Sequence, residues 1–325
     1  MCASILGTCL CVLLPLQLSA QAPARATLFP TGPERLTWYL PHLTWEDVEA
    51  YLRQSDMILI PVGSLEQHGK HLPLGTDFLQ AQEICLRVGE RCKVLVAPVV
   101  MSGVSDYHMG FAGTLTLAPE TFQAVLFDTA RSLVAHGFRR LLFYTGHGGN
   151  RPALTYVIDR INRETPATAI DLTAFEPPTD DPVVKALKLD LHAGVEETSI
   201  MLHLAPSLVR MERAENPTLT LAPNLAAIYN LKEGEARTAL DLASAFLPES
   251  TGKRGSTREM SSNGAFTTGD IRTATPGIGK SRMDALVQAM VKAVETIRSI
   301  PAGPTELGNG QPLRPGNPGS RKELP

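Results

Sequence analysis

MILIPVGSLEQHGKHLPLGTD, residues 57–77, decides the fold. Its first six residues are apolar and end at Gly63, the pattern of a short strand buried on both faces. A polar, glycine-punctuated stretch follows, and Thr76-Asp77 opens a run of helical spacing that reaches Arg91. Strand, loop and helix in that order form the repeating unit of a parallel sheet. The unit recurs downstream. KVLVAPVV from Lys93 reads as a strand, and residues 119–137 as an amphipathic helix stopped by Gly137. RRLLFYTG from Arg139 reads as a strand, residues 151–164 as a helix, and ATAIDLTAF at 167–175 as another strand. The alternation predicts an α/β fold with a mostly parallel sheet covered by helices on both faces.

Working outward, LTWEDVEAYLRQ at 43–54 has a helical pattern with Thr44 as its cap. Residues 249–280 are rich in Gly, Ser and Thr and read as a long loop, and residues 281–300 as a final helix. The chain of 325 residues then divides into an apolar leader at 1–22, a catalytic-sized domain at 35–300 and a disordered Pro/Gly-rich tail at 301–325. The leader ends in small residues as a secretory signal peptide does, so the expected location is periplasmic or secreted. Beyond that leader no stretch is suited to span a membrane. A formal charge of -3 and the lack of a long Lys/Arg run leave no footprint for nucleic acid and suit a small substrate. Cys85 and Cys92 are two buried thiols or, in an oxidising compartment, a disulfide.

The polar residues gather where strands of such a sheet end, the edge at which ligand sites form. Glu66 and His68 are two apart, so in extended backbone both point the same way with Cα atoms about 7 Å apart. Each could then hold one ion of a metal pair. Asp77, at a helix start, is either a helix cap or a carboxylate bridging two metals. His147 sits between Gly146 and Gly148, as a ligand or as a solvated residue of a tight turn. Asn150 can cap the following helix. Glu196 and Glu197 open another helix, and spacing alone does not choose between them. His192 is a general acid or base, or a hydrogen-bonding residue beside the site.

Five segments in order, IPVGSLEQHGKHLPLGTD, GVSDYHMGFAGTLTL, GHGGN, HAGVEETS and GDIRTATPGIGK, resemble the creatininase (creatinine amidohydrolase) family over residues 36–298. The resemblance implies a Rossmann-like three-layer sandwich, a homohexamer and two divalent metal ions per subunit, Zn with Mn or Fe. It implies that Glu66, Asp77 and His147 hold one metal, with Asp77 bridging to a second held by His68. Creatininase itself takes the last carboxylate of that second site from the position that is Gly149 here. In relatives with a plain GHGGN turn the Glu of the HAGxxETS motif replaces it, which selects Glu197. His192 corresponds to a catalytic position, and Glu196 is a second candidate proton donor. His71, Tyr107 and His108 fall near the expected pocket as substrate-binding residues, the two histidines alternatively as packed, hydrogen-bonded side chains. The chain has no tryptophan after Trp45, whereas creatininase uses tryptophans over its substrate, so the family follows and creatinine does not.

The expected activity is hydrolysis of a C–N amide bond, linear or cyclic, in a small molecule or short peptide by metal-activated water. Two other readings compete. A dinuclear phosphoesterase would want cations beside the metals, for which the motifs offer Lys70 and Arg151. An exported metal- or ligand-binding protein would need no proton donor.

Overall fold

The structure, a computed structural model, describes residues 37–219 and 257–300. The expected leader, residues 35–36 of the expected domain, the start of the expected loop at 249–256 and the tail at 301–325 lie outside the described residues. In chain order the main elements are α1 (Trp45–Leu52), β1 (Met57–Val62), α2 (Thr76–Cys92), β2 (Leu95–Val96), α3 (Pro119–His136), β3 (Arg140–Thr145) and α4 (Arg151–Glu164). They continue with β4 (Thr168–Asp171), α5 (Pro182–Lys185), β5 (Asp190–His192), α6 (Val195–Leu204), α7 (Thr257–Met260), β6 (Phe266–Thr267) and α8 (Pro276–Ser299).

The central sheet has the order β2-β1-β3-β4, and all of its pairs are parallel. Every residue of β1 is buried, as its unbroken apolar run predicts. Because side chains alternate along a strand, Met57 and Leu59 enter a core with α2 and α8, while Ile58, Ile60 and Val62 enter a second core with α3 and α4. Two helical layers thus enclose the sheet, and the expected three-layer α/β sandwich is the fold. A small antiparallel pair, β5 with β6, stands apart and carries His192, paired with Phe266.

Local signals behave as expected at several points. Thr44 caps α1 in a capping box with Asp47. Cys85 and Cys92 are both free and buried, so the disulfide alternative falls; burial pushes the Cys85 thiol far up and that of Cys92 up to about 12.

Other expectations are corrected. The strand read from Lys93 reduces to Leu95–Val96, because Lys93 leaves α2 in left-handed backbone and Pro98 has no N–H for the ladder. The strand read over 167–175 stops at Asp171, whose side chain accepts from Thr173 N at 2.9 Å and turns the chain into a 3-10 helix over Leu172–Phe175. The described part of the expected loop contains α7 and β6, and the last helix begins at Pro276 rather than at 281. Thr275 caps it through Ile278 N, and Pro276 occupies the first turn; Gly277 and Gly279 hide this start from a propensity reading.

Candidate metal centre

The chain leaves β1 toward β2 on one side and returns to β3 on the other. The loops after β1 and β3 therefore diverge at their shared boundary, the crevice where open α/β sheets bind ligands. The loop after β1 brings Glu66 and His68, and the first turn of α2 brings Asp77. His147 comes from the loop after β3. The approach of these two segments needs Gly146, because a Cβ there would lie 2.3 Å from Asp77 O. Asp77 is not the cap of α2; its Oδ1 lies 3.0 Å from His68 Nε2 and its Oδ2 3.2 Å from His147 Nδ1. Asn150 stands at the N-cap position of α4, but its side chain makes no capping hydrogen bond. Its amide ties loops together, accepting from Val104 N and donating to Gly63 O, both at 2.9 Å.

The remaining carboxylate arrives from far along the chain. Glu197 lies in the first turn of α6, with Oε2 3.8 Å from His68 Nε2 and accepting from Ala193 N at 2.6 Å. Ala193 has a left-handed φ of 49°, an uncommon conformation for a residue with a Cβ. Asp190 secures the same turn by accepting from Val195 N at 2.9 Å and Glu196 N at 2.8 Å.

The orientation of the imidazoles carries the chemistry. His68 Nδ1 lies 3.1 Å from Glu66 O, His147 Nε2 3.0 Å from Val104 O, and His192 Nε2 2.8 Å from Gln67 O. A carbonyl only accepts, so each of these nitrogens carries the proton. The other nitrogen of His68 faces Asp77 and Glu197 and that of His147 faces Asp77, while His192 Nδ1 stands farther off, 3.7 Å from Glu66. A lone pair buried against a carboxylate requires a cation between them, either a proton or a metal. Glu66 Oε1 and Asp77 Oδ2 are also buried without a hydrogen-bond partner among the described residues. Imidazole nitrogens and carboxylate oxygens are the donors that zinc and similar divalent ions take, so these residues fit such ions. Three groupings could each hold one: Glu66, Asp77 and His147; His68, Asp77 and Glu197; and Glu66, His68 and His192. Asp77 is common to the first two.

Electrostatics agree with this geometry. Burial opposes ionisation of Glu66, yet His147 and His108 hold its carboxyl well below the usual range. Burial works against a charged His68, but Asp77, with Glu197 and Glu66, lifts it to about 10. Burial, against the pull of His68 and with the push of Asp77, raises Glu197 to about 7. Burial, His68 and His108 together hold His192 well below the ordinary imidazole range.

Glu66, Asp77, His147, His192 and Glu197 line a cavity of about 410 Å³. Tyr107 and His108 line it: Tyr107 Oη is 3.3 Å from His147 Nε2, and His108 Nε2 is 3.3 Å from Glu66 Oε1. His71 does not line it. It is a packed histidine bonded to Thr198 Oγ1 at 2.8 Å, behind the helix that carries Glu197, and the expectation of substrate contact is corrected. Glu196 lines the cavity, but its carboxylate is taken by Arg282 Nε at 3.0 Å and belongs to none of the metal groupings. In this geometry the carboxylate anchors Arg282. Lys70 is turned to the surface and paired with Glu215 at 2.6 Å, which removes one cation that a phosphoesterase would use. Sequence reasoning missed Gln67, whose Nε2 lies 3.0 Å from both His108 Nδ1 and His192 Nε2 and whose place between two candidate ligands was the available signal. It also missed Gln80, Asp190, Glu176 and Arg282, which no short motif marks.

A sequence model of the family described as creatininase, creatinine amidohydrolase, matches residues 41–294, most of the chain. The chain belongs to the creatininase family. Among curated creatininase-family relatives, the mycofactocin precursor peptide peptidase of Mycobacterium tuberculosis is 33% identical over 265 residues, covering 77% of this chain and 88% of the relative. Creatinine amidohydrolase of Pseudomonas putida is 33% identical over 205 residues, 57% of this chain and 79% of that one. Solved creatininases share the fold: a creatinine amidohydrolase crystal structure aligns with TM-score 0.63 at 27% identity, covering 81% of this chain and 99% of its own. A mutant creatininase of the Zn–Zn type aligns at 0.64 and 26%, covering 82% of this chain and all of its own. Another such structure is described as creatininase Mn. Against that background Gly149 is informative. A Cβ there would lie 2.4 Å from His147 Nε2 and 2.5 Å from Tyr107 Oη, so in this creatininase-family chain the position cannot offer a carboxylate.

Proposed function

We propose that this creatininase-family hydrolase cleaves a C–N amide bond in a small molecule or short peptide, with two divalent ions held in one cavity. The observation that carries the reading is the set of buried imidazoles, each pinned by a main-chain carbonyl and turned onto carboxylates. In this reading Glu66, Asp77 and His147 hold one ion, and His68, Asp77 and Glu197 the other, the groupings that share Asp77. Zinc paired with manganese or iron is the expected content, in keeping with relatives described as Zn–Zn type and Mn. When bound, such ions lower the pKa of water toward neutrality and polarise a carbonyl oxygen.

The chain's own residues do the rest. His192 keeps Nε2–H on Gln67 O and stands neutral, so its free Nδ1 takes a proton from the attacking water and returns it to the leaving nitrogen. Gln67 fixes that ring through its main-chain carbonyl, while its side-chain amide donates to Gly264 O at 2.9 Å. Tyr107 and His108 form the wall beside the ligands and orient the amide. The relatives that act on a peptide precursor and on creatinine support a substrate range from peptide to cyclic amide. A homohexamer exported to the periplasm or medium is the expected setting.

Metal analysis of the purified chain should give about two divalent ions per subunit. A screen of linear amides, cyclic amides and short peptides should find turnover that Glu66→Gln removes. Fewer than one ion per subunit, or equal turnover in the variant, would sink the reading.

A further inference from the structure

We propose that Arg282 and Gln80 form a carboxylate-binding subsite in the cavity of the metal centre, so that the amide substrate carries an acidic group. The inference rests on the amide-hydrolase reading and names the class of substrate: an N-acylated amino acid or the carboxyl end of a short peptide.

Arg282, on α8, is only 12% exposed and lines the cavity. Its guanidinium is fixed on two sides, Nε donating to Glu196 Oε1 at 3.0 Å and Nη1 to Pro177 O at 2.6 Å. Nη2 has no acceptor among the described residues. Guanidinium keeps its charge and all its N–H groups at any pH the fold survives, so those donors require a partner when the cavity fills. Gln80, one turn after Asp77 on α2, lines the same cavity at 9% exposure, and its Nε2 is buried without an acceptor among the described residues. An unpaired buried amide donor is costly, and such groups mark places where a ligand completes the hydrogen bonding. Both orphan groups donate. A carboxylate, which only accepts and has lone pairs for several donors, is the group that suits two donors lining one cavity.

Of the five acids that line the cavity, Glu66, Asp77 and Glu197 are the proposed metal ligands, and the other two are engaged. Glu196 is engaged by Arg282, and Glu176 accepts from Tyr144 Oη at 2.7 Å, with burial raising its pKa. Arg151 lines the same cavity and adds a positive charge. Ile200 and Leu286 supply an apolar flank for the body of the substrate.

Hippurate and hippuramide, one benzoylated glycine with a free carboxylate and with a neutral amide, test the subsite by calorimetry on the metal-loaded protein. The wild type should bind hippurate at least about tenfold more tightly, as expected for a charge-assisted hydrogen bond. Arg282→Met and Gln80→Met should each bring that ratio toward about one. Gln80→Glu, which keeps the polar shape and so guards against a folding failure, should reverse the preference. Equal binding by the wild type overturns the proposal. So does a preference that survives all the substitutions, which would mean that the carboxylate rides on the metals. Benzoate release separates the two readings. No release from either compound, with the binding preference intact, breaks the hydrolase reading alone; release from both at equal kcat/KM breaks the subsite alone.

Discussion

The loop after β1 and the segment from β5 into α6 deliver the same chemistry to one cavity by different physics. The first is local. Glu66, His68 and Asp77 lie within a dozen residues, on a loop and a helix start held by a strand that is buried along its whole length. The second is imposed from outside. His192 is placed by pairing with Phe266, and Glu197 by the left-handed turn at Ala193 together with the clamp of Asp190 on α6. Candidate ligands on a short loop stay in place as long as the strand does, whereas those of the second segment depend on contacts between segments distant in the chain. Strain and a dedicated clamp at Ala193 and Asp190 are what hold a site together where sequence proximity cannot.

Predictions follow from that contrast, the largest effect first. Asp77→Asn touches both proposed groupings, so it should empty the cavity of metal and lower activity by at least about 1,000-fold. Glu197→Gln touches only one grouping and should leave about one ion per subunit. Equal metal loss in the two variants would break the idea that Asp77 alone is shared; elemental analysis of the purified proteins decides.

Asp190→Ala should weaken metal retention by about 10–100-fold without removing any ligand. It should also lower thermal stability by about 1 kcal/mol, the value of a helix-capping side chain. A competition titration with a chelator measures the first effect and a melting curve the second. If the ion proposed for Glu66 and His147 weakened as much as that of Glu197, the two halves would not be independent.

The smallest effect concerns His71. Burial, then the charge of His68, holds its ring down to about 4 from an ordinary 6.5, so it is neutral in the folded state. The unfolded chain takes up that proton first, and the stability tied to His71 is therefore lost as pH falls from 6.5 toward 4. His71→Gln, which keeps a donor for Thr198, should show a shallower loss of stability over that window in denaturant titrations. An unchanged slope would count against it.

The sequence by itself determined the architecture and half of the site. Met57 to Val62 is apolar at every position because both faces of a parallel strand are covered, and that needs no knowledge of its neighbours. Glu66, His68 and Asp77 were legible because loop and helix-start geometry fixes them within a few residues. His147 was legible from the strand and glycines around it. The choice of Glu197 over Glu196 came from a motif, and its physical reason lies in the fold. Two adjacent residues on a helix differ by about 100° in direction, which sends Glu197 to His68 and Glu196 to Arg282.

Tertiary structure alone decided the rest. Burial removed His71 from the cavity, and crowding by Tyr107 and His147 closed position Gly149 to any carboxylate. Convergence of α2, α6 and α8 put Gln80, Glu196 and Arg282 around one space. Periodicity and motifs report only what the chain does within a few residues, whereas a cavity is defined by side chains that meet because the sheet and its helices pack. Local spacing can therefore name candidate metal ligands, but the shape and charge of the cavity arise only when distant helices close over the sheet.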